Sequence, residues 1–519
     1  MKIWEDLLQD IEKNIPSDTE CELKMMHSKS ALTRFANSQI HQNVDEESAD
    51  VFLTLHNDSK TVTMSTNLTA LKNPKEFVSK AMDSLSKSPI DKGWAGLPDA
   101  SQSYNGLSKL VESSPEERAN KVREFVSEGK QMNAAGYCSS YINNYFVWNT
   151  NGLNSSDSSS SAFIDGIFRT ESSAGSSHRG GITLSDIEAE RAGSEAAKLA
   201  KDSENPEDIE PGNYEVILGH EAVSTILVFL GVYGFNAKSK IDGMSPINID
   251  ENQFDSQINI FDTPEDNESI GFKIDASGSK KKNLEVVKDG VSKSYFHTRR
   301  TAKELSAENT FHELFGWGEN FGGIGTNIKL SEGNVSQEEM IESVKKGIYI
   351  NEFWYCRVLD PITQVVTGLN RNGSFLIENG KIAAGAVSCP SLKRLYSTAT
   401  LYPKERPVSD SKLVISNRWN SYHAAYVAEA IGARLASCGS AGIKASLVIG
   451  GEADVYIHNS GLYEWDVCGP IAVARAAGLI ACQLDGTEFI FNKEVPIVRG
   501  LIISHPELLN DVLGVLNGK

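Results

Sequence analysis

The apolar positions in the first 130 residues alternate between helical and strand-like spacing. Amphipathic helical spacing occurs at residues 3–14, 74–86 and 115–130. Alternating apolar and polar positions, which predict half-buried strands, occur at residues 21–25, 51–55 and 61–64. The start of the chain is therefore predicted to form an α/β or α+β domain.

The middle of the chain differs in residue composition and in the spacing of its apolar positions. Residues 149–161 and 172–181 are rich in serine, asparagine and glycine, which is the composition of loops. A helix is predicted from residue 184 to about 201, and a more apolar helix at 221–231. Residues 245–380 contain strand-like runs separated by glycine, asparagine and aspartate, so this region is predicted to be mainly β.

The pattern of apolar and polar positions changes again near residue 382. Alanine-rich helical runs at 424–437 and 470–477 alternate with apolar runs that predict strands, an α/β pattern. The predicted strands are 413–416, 445–449 and 453–457. The chain is therefore predicted to be an α+β multidomain protein with domains at residues 1–205, 206–382 and 383–519.

Composition and charge exclude some classes of function. The 519 residues are 40% hydrophobic and carry 50 basic against 69 acidic side chains, a net charge of −19. A nucleic-acid-binding surface needs clustered lysine and arginine, so nucleic acid is not an expected partner. The acidic N-terminus is unlike a signal peptide, and the apolar run at 222–235 is too short to span a membrane. Seven dispersed cysteines with no CxxC pair predict buried thiols in the cytoplasm.

Several ordered sequence blocks carry a family resemblance. They are Ala31–Asn37 with Ile40–Asn43, Ala135-Gly136 with Asn151-Gly152, Pro211–Leu218, Phe235–Ser239, and Arg357–Pro361 with Thr367–Gly380. In order and spacing, these blocks resemble the TldE/PmbA branch of the TldD/PmbA ("modulator of DNA gyrase") family, which is metallopeptidase-related. The resemblance covers residues 1–382 and implies a TldD/PmbA-like N-terminal α/β domain followed by a mainly-β central domain.

The family's catalytic member has a His-Glu-x-x-x-His helix and a downstream thiolate, which together bind Zn²⁺ and leave room for water. Counting back from Phe235 places the two histidine positions at Ser224 and Phe229, and the glutamate position at Thr225. These side chains cannot supply the ligands, so no catalytic residue is assigned. The resemblance therefore implies a non-catalytic subunit that binds no zinc itself and pairs with a zinc-bearing TldD-like chain to cleave unfolded peptides.

Several other polar residues could have either a functional or a purely structural role. His220-Glu221 and His312-Glu313 are followed by no second histidine at the required spacing, so we expect a polar residue opening a helix and a surface pair, respectively. Four residues of the first family block are candidates for a peptide-binding groove, although polar strand residues usually face solvent. They are Arg34, Asn37, His41 and Gln42.

The C-terminal region resembles a second family. The blocks are Gly385–Val387, Tyr396–Thr398, Gly439–Lys444, Glu452–Tyr456 and Tyr463–Asp466. They resemble the C-terminal half of CysQ-type 3′(2′),5′-bisphosphate nucleotidases, which are Mg²⁺-dependent, inositol-monophosphatase-like enzymes. The resemblance implies an α/β half-domain in which Asp466 binds Mg²⁺. By the same resemblance, the residues that lie against a nucleotide are Gly439, Ser440, Ala441 and Lys444.

The remaining magnesium ligands of that family are missing. They come from a Glu-Glu pair and an Asp-Pro-(Ile/Leu)-Asp-Gly-Thr loop, but Asp360-Pro361-Ile362 is followed by Thr363 instead of a carboxylate. Asp485-Gly486-Thr487 lies downstream of Asp466 and is expected to be a turn. The resemblance nevertheless makes a Mg²⁺-dependent phosphatase the alternative function. A purely structural role for the C-terminal segment is a third hypothesis.

Overall fold

The computed structural model describes residues 2–204, 209, 212–316, 321–385, 411–417, 422–438, 440–459, 461–491 and 497–518. The chain divides into two compact units, Met1–Ser388 and Cys389–Lys519. The three domain bounds inferred from the sequence stay predictions.

A seven-stranded sheet forms the start of the first unit. Its strands are β1 (Glu20–Ala36), β2 (Gln39–Asn57), β3 (Lys60–Asn67), β4 (Asn105–Gly106), β5 (Asn133–Asn149), β6 (Asn154–Arg169) and β7 (Ala174–Gly181). The strand order is β3-β2-β1-β5-β6-β4, and β7 pairs with β6. The accompanying helices are α1 (Lys2–Glu12), α2 (Pro74–Lys87), α3 (Pro115–Ser127) and α4 (Ala189–Asp202).

The first three helices confirm the predictions from periodicity. Trp4, Leu7 and Ile11 form the buried stripe of α1, which packs with α2 on the apolar face of β1 and β2. Each of α2 and α3 begins with a proline preceded by a capping side chain, since proline suits the first helical turn. Ser114 caps α3, where the side chains form a complete capping box.

Most of the two serine-rich segments forms strands, so the loop prediction for residues 149–161 and 172–181 is wrong except for the turns at residues 150–153 and 172–173. Ser155, Ser156 and Ser159 lie buried within β6, which is paired on one side with β5 and on the other with β7. Small side chains are needed here because other elements approach closely. A Cβ atom on Gly175 in β7 would lie 2.2 Å from the backbone nitrogen of Ala200 in α4. Tertiary packing thus overrides a loop-like composition.

Two smaller sheets complete the first unit. Their strands are β8 (Glu215–Leu218), β9 (Ile260–Asp262), β10 (Leu284–Lys288), β11 (Val291–Ser292), β12 (Ile328–Leu330), β13 (Lys346–Asp360), β14 (Val365–Glu378) and β15 (Lys381–Gly385). The sheet orders are β11-β10-β9-β12 and β15-β14-β13-β8. The helices are α5 (His220–Phe229), α6 (Ala237–Ile241), α7 (Arg299–Leu305) and α8 (Gln337–Ser343). The apolar helix predicted at 221–231 is confirmed as α5.

The second unit is α/β. Its strands are β16 (Leu413–Ser416), β17 (Arg434–Ser437), β18 (Val455–His458), β19 (Leu462–Tyr463), β20 (Ile480–Cys482), β21 (Ile497–Val498) and β22 (Leu501–Ser504). Its helices are α9 (Tyr422–Ala430), α10 (Ala441–Ile449), α11 (Glu464–Ala476) and α12 (Pro506–Leu516). The main sheet has the order β17-β16-β18-β22-β20, while β19 pairs with β21. Helices pack on both faces of the main sheet.

Two sequence predictions in this unit are wrong. Residues 445–449 belong to helix α10, because a short apolar run fits a buried helix as well as a strand. The helix predicted at 424–437 ends at Ala430, and Gly432, with φ of 67°, turns the chain into β17. No helix in the described parts of either unit has the length and apolar character needed to cross a membrane.

Candidate functional site

A row of polar side chains crosses the large sheet of the first unit. Residues directly opposite each other on antiparallel strands share one face, and the register pairs Gln42 with Arg34, Arg34 with Tyr137, Tyr137 with Asp165, and Asp165 with His178. This polar row therefore runs across β2, β1, β5, β6 and β7. The neighbouring residues in these strands alternate to the other face, where they form the core against α3 and α4.

The row ends at a buried carboxylate on α5. His178 Nδ1 lies 3.0 Å from Glu221 Oε1, and the His178 backbone N–H donates to the same oxygen over 3.3 Å. The hydrogen bond to Glu221 raises the pKa of His178 above its ordinary value, although burial opposes this shift. Burial would raise the pKa of Glu221, but the hydrogen bond and positive charge of His178 outweigh it and lower that pKa. The two groups therefore favour an ion pair.

Glu352 on β13 adds a second carboxyl, hydrogen-bonded to Glu221. Ser176 Oγ donates to its Oε2 over 2.9 Å, and Asn372 Nδ2 donates to its Oε1 over 2.6 Å. Burial and the neighbouring Glu221 raise the pKa of Glu352 to about 7. Because two carboxylates in contact resist ionising together, Glu352 is the member of the pair that binds a proton more readily.

Asp165 and His220 border this carboxyl pair. Burial raises the pKa of Asp165, which accepts a hydrogen bond from the Tyr137 hydroxyl. His220 opens α5, as predicted, and its ring centroid lies 6.4 Å from that of His178. Burial lowers the pKa of His220, which favours its neutral form. The cluster can hold or pass a proton and can receive a cationic or hydrogen-bonding group.

The four predicted peptide-binding residues are exposed, and the structure brings two of them into the polar row. Arg34 and Gln42 are members of it, whereas His41 falls at the register irregularity between β1 and β2. Asn37 lies in the turn after β1 with φ of 49°. It lines a cavity of about 690 Å³ together with Asn372, which contacts Glu352.

The three positions expected for the zinc motif all lie on helix α5. Ser224 Oγ and Thr225 Oγ1 both donate to the Glu221 backbone carbonyl, over 2.9 and 3.1 Å, and Phe229 is the last helical residue. These side chains do not fit zinc, since they supply neither imidazole nor carboxylate. Within the described residues, no group of three or more histidine, cysteine, aspartate or glutamate side chains is arranged to hold a metal ion.

The expectation that His312 and Glu313 form a surface pair is wrong, because both are buried. His312 Nε2 lies 3.1 Å from Asp262 Oδ2, and Glu313 Oε1 lies 3.1 Å from Lys24 Nζ. Their partners are distant in sequence, so nothing in the local pattern reveals the burial.

Glu313 belongs to an ion-pair network beside a second polar cavity of about 800 Å³. Lys24 Nζ lies 2.7 Å from Glu22 Oε2, and Arg299 Nη2 lies 3.5 Å from both Glu22 and Glu313. Burial and the charge of Glu313 raise the pKa of the neighbouring Asp275 to about 6. The strands β1, β2 and β3 form one wall of this cavity. No pattern along the chain indicates this site beyond the dispersed charges themselves.

In the second unit, the predicted nucleotide-binding residues lie at the start of α10. Ser440 Oγ accepts the Ile443 N–H over 3.4 Å, and Ala441 is the first helical residue. Lys444 is buried, donates to the carbonyls of Cys438 and Ser440, and lies 5.3 Å from the ring centroid of Tyr456. Gly439 lies outside the described residues.

The predicted metal ligand Asp466 is exposed near the start of α11. Its Oδ2 accepts the Tyr463 N–H over 3.2 Å, which makes it part of a helix cap. Mg²⁺ prefers octahedral oxygen coordination from several carboxylates, waters and phosphates. A single capping carboxylate does not fit that requirement.

Comparison with known families separates the two parts of the chain. Residues 211–388 match the model of the PmbA/TldA metallopeptidase C-terminal domain. The solved structure of a putative modulator of a DNA gyrase from Thermotoga maritima is 20% identical and has a TM-score of 0.63, and the match covers 74% of this chain and 90% of that one. TldE from Thermococcus kodakarensis is 17% identical with a TM-score of 0.64, covering 74% of this chain and 90% of its own. The first unit has the TldE-like fold of the TldD/PmbA family.

Residues 375–514 match the model of the inositol monophosphatase family. The 3′-phosphoadenosine 5′-phosphate phosphatase of Mycobacterium leprae is 29% identical over 157 residues, which are 30% of this chain and 51% of the relative. The enzyme of the same name from Mycobacterium bovis is 40% identical over 80 residues, 15% of this chain and 30% of the relative. The chain thus spans about half the length, or less, of these curated relatives. Both family resemblances seen in the sequence are confirmed.

Proposed function

We propose that this protein is the non-catalytic, TldE-like subunit of a heterodimeric zinc peptidase that acts on unfolded peptides. The observation that carries the proposal is helix α5, where Ser224, Thr225 and Phe229 stand at the positions of the zinc motif. A zinc-bearing TldD-like chain would supply the metal and its activated water. The buried thiols of Cys21, Cys138 and Cys482, whose pKa values burial raises, suit a reducing cytoplasm.

The role we assign to the polar row is to hold an extended peptide. Arg34 and Gln42 at its exposed end offer donors for peptide carbonyls, while the carboxyls of Asp165, Glu221 and Glu352 at its buried end accept from N–H or ammonium groups. Recognition of backbone groups suits unfolded substrates of varied sequence, because every residue presents the same amide.

The test compares the isolated chain with the reconstituted pair. Elemental analysis of the purified chain is expected to find no stoichiometric zinc, and the chain alone should cleave no unfolded peptide. Adding a TldD-like chain with an intact His-Glu-x-x-x-His helix should produce chelator-sensitive cleavage. One zinc per chain together with chelator-sensitive cleavage by the isolated protein would refute the proposal.

The second candidate is a Mg²⁺-dependent phosphatase, favoured by the sequence relatives of residues 375–514. We expect no phosphate release from 3′-phosphoadenosine 5′-phosphate, because Asp466 is committed to a helix cap. Release that requires Mg²⁺ and disappears in Asp466→Asn would establish the alternative. Asparagine retains a capping oxygen, so this variant separates lost chemistry from lost folding.

A further inference from the structure

Helix α5 is apolar around most of its circumference but is only partly buried. Its sequence contains a run of valine, isoleucine, leucine and phenylalanine, yet only Glu221 and Ala222 are buried. Ile226 is 42% exposed and Val228 is 58% exposed. A helix that is apolar on all sides is normally enclosed by protein, so α5 has the composition of a helix covered in an assembly.

The end of the β13–β14 hairpin has the same character. We define residues 352–372 as the hairpin arm, and no residue within it is buried. It extends beyond the residues of β13 that pair with β8, so the arm is two-stranded. A two-stranded hairpin is marginally stable in water unless other elements pack on it, and in the first unit helix α5 packs along β13. The exposed large apolar side chains of the arm are Trp354, Tyr355, Leu359, Ile362, Val365, Val366 and Leu369.

The arm and α5 form one continuous surface. Helix α5 packs along β13, and the π-helical turn that follows it, Leu230–Gly234, reaches Gln364 at the tip of the arm. The nine exposed apolar side chains of α5 and the arm present on the order of 800 Å² in total, spread over both faces of the hairpin because successive strand residues alternate. A partner that encloses the arm would therefore cover about as much area as each partner contributes to a standard stable interface. Tryptophan, tyrosine and arginine, the residues enriched at interaction hot spots, all occur here.

The charges of this surface favour a different chain over a second copy. Helix α5 and the arm include Glu221 and Glu352, but these two carboxyls are hydrogen-bonded to each other at the buried end of the polar row. The other charged side chains of α5, the turn that follows it and the arm are Arg357, Asp360 and Arg371. The surface is therefore slightly basic within a chain of net charge −19. Two copies of this surface would bring four arginines against two aspartates and leave the interface with uncompensated positive charge, whereas a partner with carboxylates around an apolar centre complements it. Arg357 and Arg371 stack on Tyr355 and Trp354, so their guanidinium groups are held at this surface.

We propose that α5 and the hairpin arm form the docking surface for the zinc-bearing TldD-like subunit, which presents an apolar patch rimmed by carboxylates. This inference rests on the proposed function and adds to it the face through which the two subunits associate. Because α5 also carries Glu221, docking would cover the helix that adjoins the buried end of the polar row.

The test measures association of the full-length chain with a purified TldD/PmbA-fold chain from the same organism that carries an intact His-Glu-x-x-x-His helix. Val228→Glu and Leu359→Glu change side chains that are more than half exposed, so the fold should persist. We expect each substitution to raise the dissociation constant, measured by isothermal titration calorimetry, by about tenfold or more. Val111→Glu, at an 85% exposed position outside this surface, is the matched control and should bind like the wild type.

The outcomes distinguish the two proposals. If the wild-type chain forms no complex, the proposed function fails and the docking surface fails with it. If the wild type binds and both variants bind as tightly as the wild type, the docking surface alone is refuted. Sedimentation of the isolated chain gives the remaining check, since a homodimer that the same substitutions dissociate would show that a second copy occupies this surface. Thermal unfolding of each variant must match the wild type for the comparison to count.

Discussion

Lys24 shows how strongly a single buried charge depends on its partners. Its ammonium lies between the carboxylates of Glu22 and Glu313, and only 12% of its side chain is exposed. Arg299 balances the second negative charge from the other side. Removing one member of such a network leaves a buried charge without compensation, which costs more than the pair contributes to stability.

We therefore expect Lys24→Met to destabilise the first unit by about 3 kcal/mol, since it leaves two glutamates facing one arginine. The matched control is Lys29→Met on the same strand, whose partner Glu112 is 65% exposed. That change should cost about 1 kcal/mol or less. Urea unfolding followed by tryptophan fluorescence measures both. Equal effects of the two substitutions would show that the network contributes nothing beyond a surface pair.

Glu352 makes stability depend on pH. Its pKa of about 7 in the folded chain lies above the ordinary glutamate value, so the unfolded chain loses this proton first as the pH rises. Unfolding then releases a proton, and the stability contributed by the protonated carboxyl is lost as the pH rises from about 4.5 to about 7.

Glu352→Gln should remove this part of the pH dependence, because the amide keeps hydrogen-bonding groups but does not ionise. The melting temperature of the variant is expected to fall less than that of the wild type between pH 5 and pH 8. Glu378→Gln, at an exposed position on the same strand pair, is the control and should follow the wild type. Parallel curves for the wild type and Glu352→Gln would contradict the assignment of the proton to Glu352.

The candidate site shows the limit of sequence reasoning at the residue scale. Arg34 and Gln42 were found through a family block, but Asp165, His178 and Glu352 carry no local signal. They are brought together by the register of β6 and β7 and by the approach of β13, which no spacing along the chain encodes. His220-Glu221 was visible as a pair, yet its burial against His178 depends on the same strand pairing.

At the scale of elements, the sequence predicted helices better than strands. Helices α1, α2, α3 and α5 follow from apolar spacing and capping residues, both of which are local. The strands β6 and β7 were not predicted because they are rich in serine and glycine, a composition typical of loops. These small residues occur in the two strands because neighbouring elements pack closely against them. Helix α4 packs on β7 through alanines, and this close approach requires Gly175.

Gly175→Ala tests that packing. A Cβ atom would lie 2.2 Å from the Ala200 nitrogen and 2.3 Å from the Ala196 carbonyl oxygen, both of which are backbone atoms that cannot rotate away. We expect a loss of about 2–3 kcal/mol, measured by thermal unfolding in circular dichroism. Gly333→Ala has open space around the new methyl group and should change stability little. A Gly175→Ala variant as stable as the wild type would mean that α4 can move off β7 at little cost.

At the scale of the whole molecule, the net charge of −19 acts on any peptide that approaches. Fields of this size raise association rates for oppositely charged ligands, and salt screens them within about 8 Å at physiological ionic strength. At the buried end of the polar row, the carboxyl groups of Asp165, Glu221 and Glu352 outnumber the one imidazole paired with them, that of His178, which favours an ammonium group over a carboxylate. Global and local electrostatics therefore act in the same direction.

If the polar row holds peptides, lysine-containing unfolded peptides should bind several times more tightly than glutamate-containing peptides of equal length at 50 mM salt. Raising the salt to 300 mM should reduce that preference, because the long-range part is screened while the contacts within the row remain. Fluorescence anisotropy with two labelled peptides measures both effects. Arg34→Ala should weaken both peptides alike, since its guanidinium is placed to contact backbone carbonyls in either one. A preference for the acidic peptide would contradict this use of the row, and complete loss of binding of the lysine-containing peptide at 300 mM salt would assign that binding to charge alone.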